Sequence, residues 1–339
     1  MGWVSSTASE LERITDELLD GQEPDRLRAA AMDLYSLLAN LTGVGGDGES
    51  PANAGGTALP CGLAISPSDA ARCVLDFGRT SKFLKGTHAA LTAARARFSG
   101  RALEVVYAGC GPFACLAVPL STRFGPDEVR FTFVDVHARS LDAVRRIVDE
   151  LGLGASVHAY VQGDAARYVH PGPLHGVIIE TMQRALGREP QLPITRNLAP
   201  QLCDGGVFIP QQVLVDAWLV DAAREVSTAD GAAPPSTSYL GRVFELTAVS
   251  PAPDGSWPIV LDVPKQAVRS TRVMLATTVT VFESFQLGER ESGITHPVIL
   301  HDVPLDQDSR IEFRYTAGSQ PGLDYRWAPR PRGAADAPW

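Results

Sequence analysis

Two glutamates, Glu180 and Glu189, stand nine positions apart in the stretch ETMQRALGRE, directly after the apolar run GVII. Two carboxylates turned to one side can grip a planar, permanently charged group such as a guanidinium through charge-assisted, often bidentate hydrogen bonds. They fix its plane, favour charge on the nitrogens they hold and leave another nitrogen freer to attack. With no cation between them they repel, and one is expected to have a raised pKa. The same stretch also suits a solvated helix. Glu180 would then start the helix, where the dipole favours an acid, and Arg184 and Arg188 would neutralise the two glutamates.

Upstream, EVVYAGCGPFACLA places Gly109 and Gly111 at a strand-to-helix turn, where glycine lets backbone approach a ligand closely. About one strand later VDVHARS ends a second apolar run with Asp135, an acid that can accept from both hydroxyls of a ribose. A third run ends in QGD, and Asp164 there can accept from an adenine amino group. A dinucleotide fingerprint would want a third glycine where Ala114 stands. Cys110, inside the turn, has no base placed beside it and is expected only to pack.

These residues need an edge to sit on. Short apolar runs at 102–109, 129–136, 155–164 and 175–180 alternate with helical stretches such as SLDAVRRIVDELGL. That pattern means βαβ units and a mainly parallel sheet with every carboxyl end on one edge. Before it, Ser9 and Glu12 fit a capping box ahead of Leu11, Ile14, Leu18 and Leu19. A second helix follows from about Asp25 to Leu41, with Leu27, Met32, Leu34, Leu37 and Leu38 available for a buried face. GVGGDGESPANAGGT, 43–57, reads as a loop, and 66–98 as helix. After about residue 211 strand-like runs separated by Pro, Gly and Asp replace the alternation, so an antiparallel β-rich unit is expected.

The glycine turn and the spacing of Asp135 and Asp164 after it resemble class I S-adenosylmethionine-dependent methyltransferases. Within them the chain resembles the protein arginine methyltransferases. A "double-E" segment after the fourth strand matches Glu180 and Glu189, Met182 falls where that family has a methionine, and Thr295-His296 is similar to its Thr-His-Trp motif. LAPQLCDGGVFIP, 198–210, is similar to the segment leading into that family's β-barrel. The resemblance implies an α/β fold. A Rossmann-like methyltransferase domain (67–210) would follow N-terminal helices that act as a lid (1–66) and precede a C-terminal β-barrel-like domain (211–339).

It also implies S-adenosyl-L-methionine as cofactor, touched by Tyr107, Gly109, Gly111, Asp135 and Asp164, with Lys85 or Arg79 reaching its carboxylate. Glu180, Glu189 and His296 would be catalytic, and Met182 would contact substrate. Departures from the family narrow the substrate. Thr181 and Pro297 stand where two aromatic residues help surround a protein arginine. A small guanidino or amino compound such as free arginine is therefore expected. Tyr107 ahead of the Gly111-Pro112 turn also resembles nicotianamine synthase-like enzymes, which attack the cofactor's γ-carbon and release methylthioadenosine. A non-catalytic partner of a related enzyme is a third reading.

Composition excludes other classes. The net charge is −9 with no Lys/Arg block, so nucleic acid is not an expected partner. No run of eighteen apolar residues exists to span a membrane, and MGWVSSTASELER lacks the basic start and apolar core of a signal peptide. The cytoplasm is the expected location. Five cysteines without a CxxC pair imply neither a disulfide framework nor a zinc site. By resemblance alone, a homodimer is expected.

Overall fold

The computed structural model describes residues 6–45, 55–221, 237–249, 258–265, 271–301 and 308–329. In chain order the elements are α1 (Ser6–Asp20), α2 (Pro24–Thr42), a hairpin of β1 (Thr57–Leu59) and β2 (Gly62–Ala64), α3 (Pro67–Arg72) and α4 (Phe77–Arg97). Then come β3 (Leu103–Ala108), β4 (Val129–Asp135), α5 (Ala138–Glu150), β5 (Val157–Gln162), β6 (Leu174–Ile179), α6 (Gln191–Leu198) and β7 (Leu202–Ile209). The β-rich remainder holds β8 (Gln212–Asp221), β9 (Thr237–Thr247), β10 (Ile259–Val263), β11 (Thr271–Phe282), β12 (Phe285–Leu287), β13 (Val298–Leu300), β14 (Ser309–Thr316) and β15 (Gly322–Pro329).

The order β5-β4-β3-β6-β7 makes one wholly parallel five-stranded sheet. Its inner strands β4, β3 and β6 are largely apolar on both faces because both are covered, while the edge strands β5 and β7 are partly exposed. Val105, Tyr107, Phe131 and Phe133 point into a large core shared with α1, α2, α4 and α5. Val106, Ala108, Val134, Val177 and Ile179 point the other way, against Ile194 and Leu198 of α6. Strand order reverses at β3, between β4 and β6. Open parallel sheets bind ligands at such a point, outside the carboxyl ends.

Helix ends follow local chemistry. Ser66 caps α3 by accepting from Asp69 N at 3.1 Å, with Pro67 in the first turn. Asp76 caps α4 by accepting from Arg79 N at 3.2 Å. The helix expected over 66–98 is therefore two helices with a break at Asp76. Two other expectations are corrected. Ser6 is already helical, so Ser9 lies inside α1 and does not cap it. Met32 is 56% exposed because Leu34 and Leu38 define the buried face of α2. Neither of these first two helices lines the cavity described below. Leu11, Ile14, Leu18, Leu34 and Leu38 are core residues, and the hairpin covers the cavity instead. Most of the loop expected at 43–57 lies outside the described residues.

Beyond Pro210 the strands form two antiparallel sheets, β12-β11-β8-β9 with β13 on β11, and β10-β14-β15. Val213, Val215, Val279, Ile311 and Phe313 belong to one buried cluster, so the two sheets share a core in a barrel-like unit. Among its described residues no α-helix interrupts the strands.

Candidate functional site

A cavity of about 800 Å³, counting its open mouth, lies at the carboxyl edge of the parallel sheet. The end of β3 supplies its floor. Gly109 and Gly111 have φ of +66° and +61°, a region that disfavours any side chain. A Cβ on Gly109 would stand 2.4 Å from Thr181 Cγ2, so glycine is sterically required there. Asp135, at the end of β4, is fixed before any ligand arrives. Its Oδ2 accepts from Gly111 N at 2.9 Å and its Oδ1 from His137 N at 2.8 Å. Beyond β5, Asp164 Oδ1 accepts from Ala166 N at 2.9 Å. Cys61 Sγ lies 3.9 and 3.8 Å from its two oxygens. Burial and the neighbouring Asp164 charge push the Cys61 thiol up to about 11, so it keeps its proton and donates it to Asp164.

Glu180 and Glu189 border this same cavity. The segment between them is not a helix beyond one short turn, Arg184–Leu186. Ala185, Leu186 and Arg188 have φ of +51°, +54° and +67°. Four hydrogen bonds hold this shape. Ala185 N donates to Thr277 Oγ1 at 2.9 Å, Leu186 O accepts from Tyr315 at 3.1 Å, Arg188 N donates to Pro321 O at 2.7 Å, and Arg188 O accepts from Leu63 N at 2.8 Å. The charged-helix reading of this stretch is thereby excluded. Among the described residues neither Arg184 nor Arg188 makes a salt bridge to a glutamate, and Arg188 acts on Glu189 only through space.

Arg79, in the first turn of α4, forms the salt bridge to Glu180 through Nε and Oε1. Both side chains are about nine-tenths covered. Burial works against the Arg79 charge, but Glu180 and Glu189 outweigh it and hold the guanidinium protonated more firmly than in water. Burial raises the Glu180 carboxyl, with Arg79 opposing. Glu189 has no salt-bridge partner among the described residues. Burial lifts it to about 7, opposed by Arg79 and by a hydrogen bond from Gln183, with Glu180 adding repulsion. One of the two acids is thus held near its titration point.

Tyr107, Gly109, Gly111, Asp135, Asp164, Glu180 and Glu189 all line the one cavity. Tyr107 is 2% exposed, its hydroxyl 3.9 Å from Cys115 Sγ, and burial raises both groups. Met182 is buried and lines an adjoining chamber. Two expected residues are elsewhere. Lys85 Nζ donates to Gly21 O at 2.6 Å, at the turn between α1 and α2. It follows Arg79 by six positions, which on an α-helix is about 240° of rotation, so only one of the two can face the site. His296 is exposed and lines neither cavity, while its neighbour Thr295 is buried and bonds to Ser292.

Other contributors were not expected. Leu63 and Ile65, in and just after the β1–β2 hairpin, roof the cavity, and Cys73 lines its wall. Gln191 Oε1 accepts from Thr181 N at 3.1 Å and from Thr181 Oγ1 at 3.3 Å. The turn residues Pro60-Cys61, followed by Gly62 at the start of β2, were the available signal for the hairpin.

No protein-family model matches the chain, and no curated protein matches it in sequence. Solved structures match it in fold. The Trypanosoma brucei PRMT1 enzyme–prozyme heterotetrameric complex with AdoHcy is 13% identical, covering 78% of this chain and 93% of its own, with a TM-score of 0.55. PRMT6–SAH is 11% identical over 75% of this chain and 96% of its own, with a TM-score of 0.54. A second PRMT6 structure is 10% identical over 77% and 98%, with a TM-score of 0.55. The fold is the class I methyltransferase fold of these PRMT structures, with a β-rich unit following the parallel sheet.

Proposed function

We propose that the chain is an S-adenosylmethionine-dependent N-methyltransferase acting on a small guanidino or amino compound such as free arginine. One observation carries the reading: Glu180 and Glu189 border the same cavity as Gly109, Asp135 and Asp164. The residues present fit the cofactor. The Gly109–Gly111 turn offers bare backbone, Asp135 and Asp164 offer acceptors at adjacent strand ends, and Arg79 offers a cation on the side of Glu180. Two of the structures similar in fold are complexes with AdoHcy or SAH.

When bound, the cofactor supplies an electrophilic methyl group on a sulfonium. The chain's own residues do the rest. Arg79 engages Glu180 through Oε1, which leaves Oε2 for a substrate N–H. Glu189, raised to about 7, binds a cation as the carboxylate and can take up the proton that N-methylation releases. The hairpin adds apolar lining beside them through Leu59, Leu63 and Ala64. With Thr181, which lines the cavity, in place of an aromatic residue, the site suits a small molecule over a protein arginine.

The test is to incubate the protein with S-adenosylmethionine, with and without L-arginine and other amines, and to identify the nucleoside product by mass. S-adenosylhomocysteine that forms only with an amine is the expected result. Methylthioadenosine without added amine would overturn methylation in favour of attack at the γ-carbon. No nucleoside product with any amine would mark a non-catalytic partner.

A further inference from the structure

Beside the cofactor cavity lies a second chamber of about 920 Å³ including its mouth. Arg79, Cys73 and Glu189 border both, so the glutamate stands in the partition between them. The outer wall of the second chamber carries Arg184 and Arg188. Both are exposed, and among the described residues neither guanidinium makes a hydrogen bond or salt bridge. Asp69, the other acid lining that chamber, is already engaged. Asp69 Oδ2 accepts from Ser66 Oγ at 2.8 Å, and its Oδ1 pairs with Arg72 at 3.1 Å.

The chamber therefore carries Glu189 beside the Glu180-paired Arg79 at its inner end, and at its outer end two guanidinium groups, of which Arg188 also attracts Glu189 through space. Both arginines belong to the left-handed segment clamped to the hairpin at Leu63 and to the β-rich unit at Thr277, Tyr315 and Pro321. Their backbone is fixed in advance, so less ordering is needed when they engage a ligand. Guanidinium pairs meet carboxylates in bidentate geometry. We infer that the substrate is a small amino acid-type zwitterion, held at its carboxylate by Arg184 and Arg188 while its amino or guanidino end reaches Glu189. This rests on the reading of Glu180 and Glu189 as the acids that hold the cationic end. The carboxylate at the far end distinguishes the substrate from a simple polyamine, an amidated peptide or an internal arginine of a protein.

Titration calorimetry with the full chain and S-adenosylhomocysteine tests it, using two acid–amide pairs: L-arginine with L-argininamide, and L-ornithine with L-ornithinamide. In at least one pair the acid is expected to bind about tenfold to a hundredfold more tightly than its amide, the range for charge-assisted hydrogen bonds. In an Arg184→Gln/Arg188→Gln double variant that ratio is expected to collapse toward one. Among the described residues the two side chains have no hydrogen bond or salt bridge to lose, and a thermal melt checks that the variant folds. Equal binding of acid and amide by the unaltered protein would overturn the carboxylate assignment while leaving the cation-binding glutamates standing. So would a ratio that survives the double substitution. Binding of none of the four would bring down the assignment together with the reading it rests on.

Discussion

Glu189 is 6% exposed and its carboxyl is lifted from 4.5 to about 7, chiefly by burial. Below pH 4.5 the group is protonated in both folded and unfolded chains and costs nothing. Between 4.5 and 7 the unfolded chain releases its proton first, so the folded state binds the extra proton and stability falls as pH rises. The shift corresponds to a loss of about 3 kcal/mol, complete above pH 7. Glu189→Gln removes this penalty. Urea denaturation is expected to find the variant more stable than the parent by up to about 3 kcal/mol at pH 8, and the two equal at pH 4. Function runs the opposite way. Affinity of the parent for L-arginine, followed by calorimetry, is expected to rise about tenfold from pH 6 to pH 8 as the carboxylate forms, with no such rise in the variant. A variant that gains no stability at pH 8 would mean that Glu189 is ionised without cost.

At the scale of elements, the β1–β2 hairpin roofs the site without belonging to the buried clusters. Its turn ends at Gly62, φ +146°, where a Cβ would lie 2.9 Å from Arg188 O, the acceptor of Leu63 N. Gly62→Ala therefore pushes the roof off the Glu189 segment. Affinity for S-adenosylhomocysteine is expected to fall about tenfold while Tm moves by less than about 3 °C, because little buried area is lost. A large fall in Tm would place the hairpin in the folding core.

The strands of the sheet were legible because parallel strands covered on both faces read as short apolar runs, and 103–108, 129–135, 157–162 and 174–179 fall where those runs lie. The positions of Glu180, Asp135 and Asp164 were legible with them, since each stands at or just past a strand end. Triplets as short as β1 and β2 leave no periodicity to read. The turn between the glutamates was illegible for another reason. Ala185, Leu186 and Arg188 hold left-handed backbone that their residue types do not announce, and four tertiary hydrogen bonds impose it. Between Lys85 and Arg79 only the rotation of α4 decides, and the cap at Asp76 sets where that helix begins.

At the scale of the whole molecule, α4 joins the α/β unit to the β-rich one. A Cβ on Gly86 would stand 2.4 Å from Val281 Cγ1, and one on Gly78 would stand 2.4 Å from Glu291 O, so the helix lies directly on the β-rich backbone. Asp76 ties that contact to the site. Its Oδ1 accepts from Arg79 N at 3.2 Å, while its Oδ2 accepts from Ser292 Oγ at 2.7 Å and Gly293 N at 2.8 Å. One carboxylate thus caps the helix that carries Arg79 and anchors the segment of the β-rich unit that borders the second chamber through Gly293 and Ile294. Asp76→Ala removes the cap, at about 1 kcal/mol, and leaves two donors across the junction without their acceptor, for a total of about 2–4 kcal/mol. Asp76→Asn keeps an acceptor oxygen and is expected to lose about half as much. Chemical denaturation measures both. Because one buried cluster runs through both units, the transition is expected to stay single as it shifts. Two separated transitions would show that Asp76 is what makes the units unfold together. An unchanged midpoint in both variants would mean that the junction is held by α4 packing alone.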